Sequence, residues 1–139
     1  MRSEDVAAVR RLLNAFNRGD FSALNELDPD AELQDEPRIP GATWHYGHDG
    51  AVKWAVKLWQ SFGRLSFDID DPVVASDALV ARWYATGVGK RSGITVDMEG
   101  YCVFCMRDSK VTRVEFYETE GEALTAAHGR GPERKNRPG

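Results

Sequence analysis

One carboxylate in the first third of the chain has the surroundings of a general base. Asp35 lies in the short extended run AELQDE. Alternation puts Ala31 and Leu33 on its side of that run and Glu36 on the other side. A carboxylate with apolar neighbours can act as a base near neutral pH. The alternative interpretation is a capping or loop carboxylate beside Pro37. Asp35 is therefore the first candidate for a catalytic residue.

A second candidate lies on a late strand. Tyr101 shares a strand face with Glu99, Val103 and Cys105. A tyrosine hydroxyl in an apolar cavity can donate a hydrogen bond to a carbonyl oxygen, as an oxyanion hole requires. Tyrosine is equally common in strands for packing alone. We predict Tyr101 as the second catalytic residue and Glu99 as part of the pocket lining.

Aromatic side chains could line a pocket for a flat apolar ligand. The chain has four tryptophans and six phenylalanines, most of them at spacings typical of a core. Trp59 and Trp83 are the preferred candidates for the cavity wall. The predicted pocket lining as a whole is Phe16, Trp44, Tyr46, Trp59, Trp83, Glu99 and Phe116.

Histidines and cysteines do not predict a metal or redox centre. His45 and His48 are three residues apart, but no Cys, Asp or Glu completes a ligand set around them. Cys102 and Cys105 resemble a CxxC pair, yet residues i and i+3 of a strand point to opposite faces. We predict no metal, no cofactor, and two cysteines that pack as small hydrophobes.

Strand charges have two interpretations. Arg82, Arg113 and Glu115 are most simply a solvated or dimer-facing sheet surface with cross-strand pairs. The alternative is a buried Glu115 that serves as a second acid in the cavity.

The elements that position these residues follow from hydrophobic periodicity. Apolar residues recur every three or four positions in the first half of the chain and alternate from Arg64 onward. The predicted helices cover residues 3–17, 21–27, 49–62 and 121–128. The predicted strands cover residues 31–36, 65–69, 78–89, 93–106 and 111–118.

Helices that come first and antiparallel strands that come last are typical of the α+β class. We predict three N-terminal helices packed on a curved antiparallel sheet, a short C-terminal helix, and a cone whose mouth can hold a small apolar ligand. These elements form one domain over residues 1–128. The tail at 129–139, GRGPERKNRPG, is basic and rich in Gly and Pro, which predicts disorder.

Charge and hydropathy argue against nucleic-acid and membrane partners and against secretion. A net charge of −4 over 139 residues disfavours nucleic acid as a partner. No apolar run approaches the roughly 20 residues that cross a bilayer, and the N-terminus lacks the apolar segment of a signal peptide. We predict a cytoplasmic protein without a membrane or nucleic-acid partner.

The pattern AFNRGD…AL…L…DAEL resembles the NTF2-like superfamily, and its SnoaL-like polyketide cyclases and ketosteroid isomerases look most similar. Further support comes from GHDGAVKW at 47–54, SGITVDMEG at 92–100 and KVTRVEFYET followed by EAL at 122–124. The resemblance covers nearly the whole chain. It implies a cone-shaped α+β barrel that is often a homodimer through the outer sheet face. The superfamily contains enzymes as well as non-catalytic binding proteins.

Only some of the catalytic residues of ketosteroid isomerases have a match in this chain. Their general-base aspartate lies in a DATVEDP stretch, and DAELQDEP puts Asp35 at the matching place. Their oxyanion hole combines a first-helix tyrosine with a late-strand aspartate. The matching positions are Leu12 and Tyr101, or Glu99 if the register slips by two.

The catalytic residues of other enzymes in the superfamily match this chain less closely. Epoxide hydrolases use an Asp-Arg-Asp relay with Tyr and Asn, for which Asp35, Arg82, Tyr84 and Glu99 could be assembled. Polyketide cyclases use a late-strand acidic residue near a histidine, and no histidine lies on the late strands here.

The residues and the resemblance together predict a pocket for a small hydrophobic molecule. The first hypothesis is cofactor-free isomerisation or cyclisation of a carbonyl compound, with Asp35 abstracting a proton and Tyr101 stabilising the enolate. The alternatives are a non-catalytic small-molecule-binding protein and an epoxide hydrolase in which Asp35 activates water.

Overall fold

The computed structural model describes residues 2–39 and 41–129, and the predicted tail beyond Gly129 lies outside the described residues. The helices within these ranges are α1 (Arg2–Asn17), a 3₁₀ helix (Phe21–Glu26), α2 (Gly47–Ser61) and α3 (Glu120–Gly129). The strands are β1 (Leu27–Gln34), β2 (Trp44–Tyr46), β3 (Phe62–Ile69), β4 (Val73–Ala75), β5 (Ala78–Gly89), β6 (Thr95–Arg107) and β7 (Lys110–Tyr117). The predicted α+β class is confirmed.

The strands form one curved, open sheet in the order β2-β1-β7-β6-β5-β3, with β4 paired to β5. β5, β6 and β7 form the predicted antiparallel meander. β1 runs parallel to β7, with Leu33 opposite Val114, so the prediction of a fully antiparallel sheet was wrong. The direction of β1 is free to differ because no tight turn connects it to β7.

The predicted second helix is a short 3₁₀ helix. Asp20 caps it by accepting a hydrogen bond from the backbone N–H of Ser22 at 2.8 Å. β1 begins at Leu27, so the proline at position 29 lies inside a strand rather than in the predicted break. Its missing N–H is tolerated because the register with β7 shifts between Leu27 and Glu32.

α1 and α2 cover the inner face of the sheet. The apolar stripe of α1 buries Val9 and Leu13 in one core cluster with inward-facing side chains of β5 and β6. Each fully buried side chain of this kind contributes about 1.5–3 kcal/mol. The inward residues of these two strands include Leu79, Ala81, Trp83, Cys102 and Phe104.

α3 packs on the opposite, outer face of the sheet. Its Ala123 and Ala127 form one buried cluster with Val80 and Val103, and Tyr101 packs against that cluster. Small side chains on the helix let its backbone approach the strands closely. Odd-numbered residues in this part of β6 therefore face outward, and even-numbered ones face inward.

A side-chain clamp fixes the end of α1 to β3. The Asn17 side chain donates to the Phe67 carbonyl at 3.0 Å and accepts from the Phe67 N–H at 2.8 Å. The Trp59 indole of α2 donates to the carbonyl of Phe16 at 3.2 Å. Together these bonds fix the ends of both helices over the strands. Among the described helices, none is long and apolar enough to cross a bilayer.

The Asp28 carboxylate ties β1 to the end of β6. It accepts from the Asp30 N–H at 2.9 Å and from Arg107 Nη2 at 3.1 Å. The Asp30 amide lowers the pKa of Asp28 most, burial opposes it, and Arg107 lowers it further. A carboxyl whose pKa is lower in the folded state stabilises the fold at neutral pH and loses that contribution as pH falls through its folded pKa.

We expect Asp28→Ala to lower the free energy of unfolding by about 1 kcal/mol at pH 7. The deficit should shrink as the pH falls below about 4, the pKa of an unperturbed aspartate. Urea denaturation at pH 7 and at pH 3 measures it. Asp30→Ala, which keeps the backbone amide, is the control and should change stability by less than about 0.5 kcal/mol. An equal deficit for Asp28→Ala at both pH values would contradict the assignment.

Candidate functional site

An apolar cavity of about 120 Å³ lies between α2 and the inner face of β3, β5 and β6. Its walls are mainly aromatic and aliphatic side chains, and Asp35 and Glu36 are its two acidic lining residues. The largest lining residues are Phe16, Trp54, Leu58, Phe62, Phe67, Trp83, Met98 and Phe116.

Stacked rings form the wall of this main cavity on the sheet side. Phe67 and Trp83 stack with ring centroids 5.3 Å apart and planes 8° apart. Phe116 meets Trp83 edge-on at 5.6 Å. Each such pair contributes about 0.5–1.5 kcal/mol beyond area burial. The wall is therefore flat and held in place by mutual ring contacts.

A second apolar cavity, of about 80 Å³, lies between α1, the 3₁₀ helix and α2. Four aromatic residues line both cavities and so form a partition between them: Phe16, Trp54, Phe67 and Phe116. The second cavity is further lined by Leu12, Leu24 and Trp59. Because the partition is made of side chains, the two spaces are neighbouring chambers of one apolar interior.

Asp35 follows the last residue of β1 and borders the main cavity. Its Oδ2 accepts from the Thr43 N–H at 3.0 Å, and its Oδ1 lies 3.1 Å from His45 Nε2. Pairing of β1 with β2 places His45 opposite Leu33, which is buried in the core. The Asp35 side chain is 19% exposed. A carboxylate has about four lone-pair sites, so these two contacts orient it and leave room for a proton.

Glu36 is a buried carboxylate that sequence reasoning placed on the other side from Asp35. Its Oε1 accepts from the N–H and from Nε of Arg38, each at 2.9 Å. The hydrogen bond to Glu36 raises the pKa of Arg38. β1 ends at Gln34, so strand alternation does not extend to Glu36 and the turn carries it to the cavity. The sequence signal was the arginine two residues after the glutamate.

The structure brings part of the predicted site together. Asp35, Phe16, Trp83 and Phe116 all border the main cavity, while Phe16, Phe116 and Trp59 border the second one. The remaining predicted lining residues lie elsewhere. Trp44 packs its ring on the Arg113 guanidinium at 4.4 Å, and Tyr46 is 56% exposed beside the start of α2.

Tyr101 and Glu99 lie on the outer face of β6, away from the cavity that Asp35 borders. Tyr101 packs against the α3 cluster, and Glu99 bonds Arg82 at 2.6 Å. Alternation shows which residues share a strand face but not which face is inward. Cys102, which is buried in the core, marks the inward set instead.

The residues considered for an epoxide-hydrolase relay are not assembled around Asp35. Arg82 lies over the Tyr84 ring at 5.2 Å, and the Tyr84 hydroxyl donates to Asp70 at 2.9 Å, which raises the pKa of Tyr84. Glu115 is buried, but its partners are Arg113 and the Tyr117 hydroxyl rather than cavity residues.

His48 and the cysteines have structural surroundings. His48 Nε2 donates to the Leu27 carbonyl at 3.1 Å. Cys102 is buried in the inner core, and burial raises the pKa of its thiol far above the ordinary range. Cys105 packs on the outer side of the sheet, against the α3 cluster. In the ranges that the structure describes, no group of three or more His, Cys, Asp or Glu could hold a metal ion.

Comparison with known proteins agrees with this architecture. A protein from Jannaschia sp. CCS1, provisionally named a SnoaL-like polyketide cyclase, is 19% identical with a TM-score of 0.69, covering 92% of this chain and 94% of its own. TerC, crystallised with polyporic acid, is 19% identical with a TM-score of 0.71, covering 91% and 99%.

A protein of ketosteroid isomerase-like fold from Catenulispora acidiphila, in complex with trimethylamine, is 14% identical with a TM-score of 0.70, covering 88% and 92%. These likenesses show the fold, and no curated protein sequence matches the chain. The family model described as the SnoaL-like domain matches residues 9–114. With this match over most of its length, the chain belongs to the SnoaL-like domain family, within the NTF2-like fold that its sequence resembles.

Proposed function

We propose that this protein binds a small hydrophobic carbonyl compound and catalyses cofactor-free proton transfer on it, as an isomerase or cyclase with Asp35 as general base. The observation that carries the proposal is the Asp35 carboxylate at the border of a cavity with aromatic and aliphatic walls. Thr43 and His45 hold that carboxylate in one orientation. A general base needs such a fixed orientation before the substrate arrives.

The chemistry needs only the transfer of a proton to Asp35 and its return, with no additional reactant. The Asp35 carboxylate takes a proton from the carbon next to the carbonyl, and the electron pair left behind moves into the carbonyl to give an enolate. Return of the proton to another carbon completes an isomerisation. In a cyclisation, the enolate carbon attacks a second carbonyl of the same molecule, and the alkoxide formed takes the proton back from Asp35. Apolar walls that exclude water strengthen the interaction of Asp35 with the reacting atoms.

The cavity volumes limit the size of the ligand. A dry apolar cavity of about 150 Å³ holds benzene, and the main cavity measures about 120 Å³. The main cavity alone is smaller than that, so a ligand of one or two rings needs the partition side chains to shift toward the second cavity, which offers about 80 Å³ more. The flat wall of Phe67 and Trp83 favours a planar ligand.

A non-catalytic binding protein is the second candidate. Leu12, at the position that matches the isomerase tyrosine, lines the second cavity and supplies no hydrogen-bond donor there. Binding of a ketone without exchange of its α hydrogens would support this candidate over the first.

We expect the protein to accelerate deuterium exchange at C2 of 1-tetralone in D₂O, since the first step is abstraction of an α proton. Asp35→Asn should lower the acceleration by about 10²–10⁴-fold, the usual contribution of a general base. Proton NMR of the ketone measures the exchange. Glu99→Gln, on the outer face, is the matched control and should exchange at the wild-type rate. Equal exchange by wild type and Asp35→Asn would refute the assignment of the base.

We expect Ala85→Leu to weaken binding of 1-tetralone at least about tenfold, because Ala85 lines the main cavity and a larger side chain occupies ligand space. Tryptophan fluorescence titration measures the affinity. Ala42→Leu, in the exposed turn before β2, makes the same change outside the cavity. Overpacking costs about 1–3 kcal/mol, so thermal unfolding should accompany the titration. Unchanged affinity in folded Ala85→Leu would show that the ligand binds elsewhere.

A further inference from the structure

The indole N–H of Trp83 is a buried donor for which the described residues provide no acceptor. Trp83 is 2% exposed, and its Nε1 is buried without a hydrogen-bond partner. Buried polar groups are nearly always paired, because an unpaired one lowers the stability of the fold. Trp59 shows the usual arrangement, because its indole donates to the Phe16 carbonyl at 3.2 Å.

Ring contacts and a glycine hold Trp83 at the cavity wall. Its indole stacks on Phe67 and meets Phe116 edge-on, so the ring has little freedom to turn toward another acceptor. In β6 its pairing partner is Gly100. A Cβ on Gly100 would lie 3.1 Å from Trp83 Nε1, closer than side-chain carbons ordinarily approach. The missing side chain is therefore what allows the N–H edge to lie against this strand.

Arg38 is the movable neighbour of this donor. The same Cβ on Gly100 would lie 3.3 Å from Arg38 Nη2, so the guanidinium lies beside the same spot. It would also lie 3.1 Å from the Tyr117 carbonyl oxygen, which is not a hydrogen-bond partner of Nε1. Arg38 donates from Nη2 to the Glu99 carbonyl at 2.8 Å, and its side chain is 40% exposed. Because Nε1 is buried, an acceptor reaches it only when a neighbour moves. An exposed arginine changes rotamer on a timescale of picoseconds to nanoseconds, whereas the packed rings are confined.

We propose that the Trp83 indole N–H donates a hydrogen bond to an oxygen of the bound ligand and that Arg38 moves to admit that oxygen. The inference rests on the proposed function and narrows it to a planar molecule of one or two rings with a carbonyl-type oxygen at one edge. While Asp35 takes the α proton, the carbonyl electron pair becomes the enolate oxygen that the N–H stabilises. Trp83 thus supplies the donor that was expected from Tyr101.

Two ligands of equal shape test the hydrogen bond directly: 1-tetralone and tetralin, which lacks the oxygen. In ¹⁵N-labelled wild-type protein, the Trp83 indole proton should move further downfield with 1-tetralone than with tetralin. Trp83→Phe assigns this signal among those of the four tryptophans. The Trp59 indole, already bonded to Phe16, is the internal control and should respond equally to both ligands.

Affinity gives a second readout. Wild type should prefer 1-tetralone over tetralin by about tenfold, the value of one hydrogen bond. Trp83→Phe should lose that preference, and Trp44→Phe, at a tryptophan that lines neither cavity, should keep it. If Trp83→Phe does not fold, Gly100→Ala tests the same contact, because its methyl group presses on Nε1 and should remove the preference with the indole still present.

The outcomes separate the two proposals. If both ligands bind with equal indole shifts and Trp83→Phe keeps the preference, the hydrogen bond is refuted and the cavity remains. If neither ligand binds wild type, the proposed function fails and this inference fails with it. If Asp35→Asn abolishes exchange but keeps the preference for 1-tetralone, the base and the N–H donor are two separate parts of one site, as we propose.

Discussion

Packing of aromatic rings between the helices and the inner sheet face is the interaction on which the rest of the structure depends. Phe16 of α1 packs against Trp54 of α2, and Phe67 of β3 packs against Phe116 of β7. All four rings line the main cavity. These rings are core residues and cavity walls at once. Any substitution among them therefore changes fold stability and pocket shape together, and the two effects need separate measurements.

Polar groups that border this apolar interior need hydrogen-bond partners from nearby residues. Asp35 has Thr43 and His45, and Glu36 has Arg38, all supplied by the turn between β1 and β2 or by β2 itself. This short segment therefore concentrates the charge of the site at one border of an otherwise apolar space. The Trp83 N–H differs because the strands around it have already used their backbone groups in the sheet.

Local periodicity predicted most of the elements, and β5 has the predicted bounds, 78–89. Alternation with Ala31 and Leu33 also predicted that Asp35 faces the interior. The parallel pairing of β1 was not predictable, since hydrophobic period carries no information about strand direction. The placement of Tyr101 failed for a related reason: Gly100 has no side chain to mark the inward face. Whether the Trp83 N–H has a hydrogen-bond acceptor depends on contacts between residues distant in sequence, and no local sequence pattern predicts those contacts.

The parallel pair of β1 and β7 has a consequence for the order of folding. Leu33 lies opposite Val114, so more than half of the chain separates two adjacent strands, whereas β5, β6 and β7 are joined by short turns. Local contacts form before distant ones because closing a long loop costs more entropy. The meander is thus expected to form first and β1 to join its edge last. A chain still being synthesised would contain Asp35 long before it contained β7, the strand that holds β1 in the sheet, so the cavity border at Asp35 would be among the last features to form.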